Sequence, residues 1–302
     1  MTRLLVTLDC MVPLRLLAVL SVLLAAVAAR AETITLRAGA EARSVEVLAP
    51  RADRPLPLLI LLHGRFGTGA QILREAGIRP GGFIVAAPDG HRRSWASGRG
   101  MTPADRDGVD DVAFLRSLVA TMASRHGADP ARVFVAGMSN GGFMAARLAC
   151  EAHDLVAGIA IVGATTGEGL SRQCRPGRPL SVLLIHGTED RLVGADGTAP
   201  RAVGRIMGAT EAARFWAARE GCAGAGTPRP LPHPGPADGT SAWRTDYAPC
   251  RPGARVAFIE VRGGGHAWPG STSRLPERIV GPPTQAVHAS TEILAFFGLA
   301  PN

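Results

Sequence analysis

The sequence predicts an α/β fold, a mostly parallel eight-stranded sheet with helices on both faces, and three observations predict it. Apolar runs such as Leu58-Leu59-Ile60-Leu61-Leu62 and Val182-Leu183-Leu184-Ile185 lack polar alternation, which fits strands covered on both sides. Strand-like segments alternate with amphipathic helical patterns, as a doubly wound sheet requires. Residues able to do chemistry follow directly after strands, where open α/β sheets gather their sites.

Eight segments carry strand character: 33–37, 44–48, 56–62, 83–87, 132–136, 156–162, 181–186 and 255–261. Between them, 110–126 place Val112, Leu115, Leu118, Val119 and Met122 on one helical face. Segments 210–219 and 284–297 are likewise amphipathic, and an apolar helix starts near Gly142. Proline and glycine dominate 223–239, which predicts an irregular surface excursion and a candidate part of a substrate rim.

At 302 residues and 46% hydrophobic, the chain has enough apolar mass for one large domain. All 33 basic residues are arginines and the formal charge is +8. The arginines are scattered rather than gathered into a stripe, so no nucleic-acid partner is expected. Residues 1–31 read as a signal peptide: Arg3 and Arg15 precede an apolar run over 16–29, and Ala29-Arg30-Ala31 fits a cleavage site before Glu32. That run is shorter than the roughly 20 residues a bilayer span needs, so no stable membrane anchor is expected. A single catalytic domain, 32–302, follows, in the periplasm or outside the cell.

Beyond the leader stand four cysteines, Cys150, Cys174, Cys222 and Cys250, and an oxidising destination predicts two disulfides. Of three possible pairings the sequence neighbours are preferred, Cys150 with Cys174 and Cys222 with Cys250, each worth about 3 to 4 kcal/mol in the chain-entropy view. Four buried free thiols are the alternative. The spacings match no common zinc arrangement, and no metal is expected.

Gly137-Met138-Ser139-Asn140-Gly141 sits where a β-branched strand runs into an apolar helix, the setting of a nucleophile elbow. Glycine and serine are common, and G-x-S-x-G alone also describes an ordinary turn. Order and strand position add weight. The seventh strand ends in His186-Gly187-Thr188-Glu189-Asp190 and the last in Gly263-Gly264-Gly265-His266, so nucleophile, acid and base run Ser139, Asp190, His266. A serine hydroxyl needs a base to take its proton, which His266 supplies, and a carboxylate to hold the imidazole tautomer, which Asp190 supplies with Glu189 ranked second. Because a general base must be unprotonated, hydrolysis is expected to decline in acid.

The oxyanion donors are expected from the backbone N–H of Asn140 and from Arg65 or Phe66, in the loop after the third strand. His63 and His186 precede glycines at strand ends and read as structural. His288 reads as a packing residue of the last helix, and His91, His126, His153 and His233 have no partner motif. Trp268 and Trp95 are candidate pocket residues, with rigid buttressing as the plainer role for each.

Several blocks resemble one family. Leu61-Leu62-His63-Gly64, Pro88-Asp89-Gly90 with Ser94-Trp95, Asp110-Asp111-Val112, the GMSNGG block from Gly137, Arg147-Leu148-Ala149-Cys150 and GGGHAWPG over 263–270 are similar to those of the secreted poly(3-hydroxybutyrate) depolymerases and feruloyl esterases, which include carbohydrate esterase family one. The resemblance covers about 56–297. It implies the α/β-hydrolase fold and a cofactor-free carboxylic ester hydrolase acting on hydroxyalkanoate polyesters, feruloylated or acetylated polysaccharides, or simple esters. Depolymerases that work on solid polyester commonly add a linker and a polymer-binding domain, and with about five residues after Phe297 in this sequence efficient adsorption to crystalline polymer is not expected. Arg65-Phe66 departs from the smaller residues common in relatives, and a cation there would favour substrates bearing a carboxylate.

Two rival readings use the same residues. A serine peptidase or acyltransferase shares the triad, and peptide amides assayed beside nitrophenyl esters separate them. A non-catalytic binding scaffold would lack labelling by a fluorophosphonate. Oligomeric state is not legible in the sequence.

Overall fold

The computed structural model describes residues 30–39, 41–175, 177–272 and 275–299. The predicted leader therefore lies outside the described residues except for Arg30 and Ala31, which open the first strand. Strands β1 (Arg30–Ala38), β2 (Glu41–Ala49) and β3 (Leu56–Leu62) lead to α1 (Gly69–Ala76) and β4 (Ile84–Pro88). Helices α2 (Pro103–Arg106) and α3 (Asp111–His126) precede β5 (Ala128–Met138), α4 (Asn140–Glu151), β6 (Gly158–Val162), α5 (Glu168–Gln173) and β7 (Ser181–Gly187). The remainder holds α6 (Ala209–Arg219), β8 (Arg229–Pro230), β9 (Ser241–Tyr247), β10 (Arg255–Arg262), α7 (Glu277–Val280) and α8 (Ala289–Phe297).

All strands join one sheet in the order β1-β2-β4-β3-β5-β6-β7-β10-β9-β8. The six central strands, β4 to β10, run parallel, and antiparallel pairs flank them at both edges. Ten strands replace the eight expected. Both additions lie beyond β10, where β9 presents half-buried Trp243, Arg244, Thr245 and Asp246 rather than an apolar run. A half-exposed strand with that composition, next to the edge, carries little of the β-signal seen in the interior. The two-residue β8 falls inside the 223–239 excursion.

The uninterrupted apolar runs are explained by burial on two sides. Leu58, Ile60 and Leu62 of β3 pack on one face with Phe114 and Leu118 of α3, Met144 of α4 and Trp216 of α6. Leu59 and Leu61 pack on the other with Ile72 of α1 and Ile293 and Phe296 of α8. Fully burying each such side chain contributes about 1.5–3 kcal/mol. Helix α3 begins where Asp110 accepts the Ala113 N–H at 2.9 Å, an N-cap that fits the Asp110-Asp111 block.

The last helix is shorter than its pattern. Residues 284–288 are not helical, because their polar groups bond elsewhere: Gln285 N–H donates to Asp238 at 2.5 Å, and the Thr284 carbonyl accepts from Gly270 N–H. His288 is thus the residue before α8 rather than part of it. Both preferred disulfides are present. Cys150–Cys174 ties the end of α4 to the end of α5, and Cys222–Cys250 ties the segment after α6 to the turn after β9.

Candidate active site

Ser139 stands between β5 and α4 at φ 53 and ψ −118, a region that costs a non-glycine residue about 1–3 kcal/mol. The fold holds it there. Its N–H donates to the Val162 carbonyl at 2.8 Å, and its own carbonyl accepts the Phe143 N–H at 3.0 Å, the first bond of α4. The flanking glycines are needed for contact rather than flexibility. A Cβ on Gly137 would lie 2.2 Å from the backbone of Gly141, and one on Gly141 would lie 2.2 Å from the Leu62 carbonyl oxygen.

Asp190 follows β7 with its side chain fully buried. Its Oδ1 accepts N–H groups from Leu192 at 2.9 Å and Val193 at 2.7 Å, while Oδ2 is 2.7 Å from His266 Nδ1. A carboxylate only accepts, so Nδ1 carries the hydrogen and Nε2 is left as the basic nitrogen. His266 sits on the loop after β10, where its N–H donates to the Val280 carbonyl at 2.5 Å and the Gly265 N–H to Pro282 at 2.7 Å. Ser139 and His266 line one cavity of about 590 Å³. No hydrogen bond joins the serine hydroxyl to the ring. Glu189, the second-ranked acid, is exposed.

The two histidines read as structural are so placed. His63 Nε2 accepts the Gly90 N–H at 2.9 Å and Nδ1 lies 2.7 Å from the Gly64 carbonyl; burial holds its pKa below the usual histidine range. His186 faces the carbonyls of Val193 at 2.8 Å and Ala164 at 3.3 Å, and burial likewise lowers its pKa. Its Nε2 is 3.7 Å from Asp190 Oδ2, farther than the ring of His266.

Of the two backbone donors that the sequence offers for the oxyanion, the Phe66 N–H donates to the Arg93 carbonyl at 2.8 Å and is occupied. Asn140 occupies the first position of α4, where an N–H has no partner within the helix. Its side chain clamps Trp95, accepting the Trp95 N–H at 2.7 Å and donating to the Trp95 carbonyl at 3.1 Å. Trp95 itself is a correction. It is fully buried, donates from Nε1 to the His63 carbonyl at 3.0 Å and does not line the cavity, so it buttresses the loop instead of meeting substrate. Trp268 does line the cavity, fixed by a 3.0 Å hydrogen bond from Nε1 to Ser290.

Sequence reasoning missed the rest of the wall. Leu192, Val193 and Val203 come from the loop after β7, Leu275 and Ile279 from the segment around α7, and Arg99 from the loop before α2. Phe66, Leu275 and Ile279 are the exposed large hydrophobic side chains among the described residues, and all three stand at this cavity. No motif marks Leu275 or Ile279. Among the described residues, no three His, Cys, Asp or Glu side chains gather as a metal ion requires, and no helix is long and apolar enough to cross a membrane.

This chain is 32% identical over 249 residues to Putative esterase NocK of Nocardia uniformis subsp. tsuyamanensis, covering 77% of this chain and 71% of that one. Feruloyl esterase C of Emericella nidulans is 29% identical over 222 residues, 70% of this chain and 71% of its own. The chain belongs to this esterase family. It is a carboxylic ester hydrolase of the α/β-hydrolase fold. Feruloyl esterase B of Piromyces equi is 30% identical over 228 residues, 71% of this chain but 40% of the relative. No family model matches. Among solved structures, Acetyl xylan esterase from Aspergillus awamori superposes with a TM-score of 0.55 at 15% identity, covering 90% of this esterase and 100% of that chain, which supports the fold.

Proposed function

We propose that this esterase works through Ser139, His266 and Asp190 and an acyl-enzyme intermediate. The observation that carries the reading is the buried Asp190–His266 pair, 2.7 Å apart, opening onto the cavity that the strained Ser139 also lines. Ser139 Oγ attacks the ester carbonyl as its proton passes to His266 Nε2, and the oxyanion is met by the N–H groups of Asn140 and Arg65. Collapse expels the alcohol, which takes the proton from the imidazolium. Water activated by the same nitrogen then releases the acid from Ser139.

The acyl or alcohol part of the substrate lies against Trp268, Phe143 and Val203, an apolar lining suited to a feruloyl, acetyl or hydroxyalkanoyl ester. Its similarity to feruloyl esterases favours feruloyl esters among these. Two disulfides and the leader-like first 31 residues support a periplasmic or secreted enzyme. Stopped-flow hydrolysis of 4-nitrophenyl acetate tests the mechanism: a burst of nitrophenol ahead of steady turnover is expected whenever deacylation is slow, and turnover by a folded Ser139→Ala variant sinks it. A panel of methyl ferulate, acetylated xylan and 3-hydroxybutyrate oligomers resolves the substrate.

A further inference from the structure

Two arginines reach the cavity of Ser139 and His266 with no carboxylate to pair with. Arg65 lines it with Nε buried and without a hydrogen-bond partner, and its guanidinium stacks 4.9 Å from the Phe66 ring centroid. Arg99 lines it from the opposite loop, donating from Nε to Ser97 Oγ at 3.1 Å and from Nη1 to the Val203 carbonyl at 2.6 Å, with its guanidinium 3.6 Å from the Phe143 ring centroid. No described acid lies within ion-pair distance of either guanidinium.

The charged neighbours are otherwise engaged. Asp105 attracts Arg99, yet its carboxylate accepts from Gly98 N–H at 2.9 Å, Met101 N–H at 3.1 Å and Thr102 Oγ1 at 3.0 Å. Glu75, the acid on the cavity wall, accepts from Gln71 Nε2 at 2.8 Å. Burial, joined by repulsion from Arg65 and opposed by Asp105, brings the Arg99 pKa down to about 10. Two cations held toward one partly apolar volume are mutually unfavourable until an anion sits between or beside them.

We propose that Arg65 and Arg99 form a carboxylate subsite, so that the enzyme prefers esters with a free carboxylate on a short apolar chain. Guanidinium groups match a planar carboxylate through paired N–H donors. Phe143, Val203 and Trp268 accommodate the chain between the charged end and the ester. Half-esters of dicarboxylic acids would place the carboxylate on the acyl side, and hydroxyacid oligomers with a free end would place it on the alcohol side. This inference rests on the esterase reading of Ser139.

Two matched substrate pairs test it. Mono-4-nitrophenyl glutarate against 4-nitrophenyl pentanoate places the charge on the acyl arm, and 3-(butanoyloxy)butanoate against its primary amide places it on the alcohol arm. The expected result is a kcat/KM preference of about tenfold or more for the anionic member in at least one arm, weakened by added salt. In Arg99→Gln the anionic-to-neutral ratio should fall by about the same factor, with partial recovery in Arg99→Lys. No preference in either arm, or equal losses on both members of a pair, overturns the proposal. Should the Gln variant fail to fold, competitive inhibition of wild-type pentanoate hydrolysis by glutarate decides, and absence of inhibition overturns it. Fluorophosphonate labelling of the wild type distinguishes this failure from failure of the esterase reading.

Discussion

Replacing Asp190 by Asn changes one oxygen to an amide nitrogen, and the surrounding donors dictate which one. Oδ1 accepts two backbone N–H groups, from Leu192 and Val193, so the amide oxygen must stay there. The NH₂ then faces His266 Nδ1 at the 2.7 Å position now held by Oδ2. Two donors cannot share that hydrogen bond, so Nδ1 becomes the acceptor and the proton moves to Nε2. The nitrogen that the proposed mechanism uses as base is no longer basic. Loss of the correct tautomer in serine hydrolases costs on the order of 10⁴-fold in kcat, or about 5.5 kcal/mol of transition-state stabilisation. The assay is kcat/KM on 4-nitrophenyl acetate beside thermal unfolding, with Glu189→Gln as the exposed control. A folded Asp190→Asn variant that retains more than about a tenth of wild-type activity refutes the reasoning.

Gly141→Ala drives a methyl group to 2.2 Å from the Leu62 carbonyl, and urea unfolding should show a loss of about 3 kcal/mol or more, or no soluble protein; a loss under ~1 kcal/mol would mean that the elbow is less tight. Replacing Cys222 and Cys250 by Ser opens a link with a sequence separation of 28 and should cost about 3–4 kcal/mol, checked by denaturation under non-reducing conditions. Burial holds His63 and His186 below their usual pKa, so their stability is complete above the unfolded value of ~6.5 and declines as pH falls below it. His91 acts oppositely: burial lowers its pKa, but hydrogen bonds with Asp107 and Glu41 outweigh that and raise it. Its contribution is complete below ~6.5 and is lost as pH rises through the higher folded value. Unfolding free energy against pH should therefore bend on both sides of ~6.5, and His91→Gln should flatten only the alkaline side.

What the sequence made legible was whatever a strand end announces. Ser139, Asp190 and His266 each follow an apolar β-run directly, so their convergence at one sheet edge could be read from order alone. The elbow glycines declare themselves because only hydrogen fits against the Leu62 and Gly141 backbones. Trp95 was misplaced because a motif reports a residue type without its direction, and here the indole turns inward to His63. The two cavity arginines look alike in sequence, and only Arg65 lies beside a marked block. Arg99 comes from an irregular loop whose path depends on the Thr102–Asp105 capping box and on distant Val203. Strand β9 carries no continuous apolar run because it lies half-exposed beside the edge. That the Phe66 N–H is engaged with the Arg93 carbonyl, 27 residues onward by number, is a pairing no local pattern encodes.

The measurement closest to the central claim is the site of covalent capture. Incubating the folded enzyme with a fluorophosphonate and mapping the adduct by peptide mass spectrometry should place it on Ser139, with no adduct and no ester turnover in Ser139→Ala. An adduct on another residue, or undiminished hydrolysis by that variant, would contradict the account.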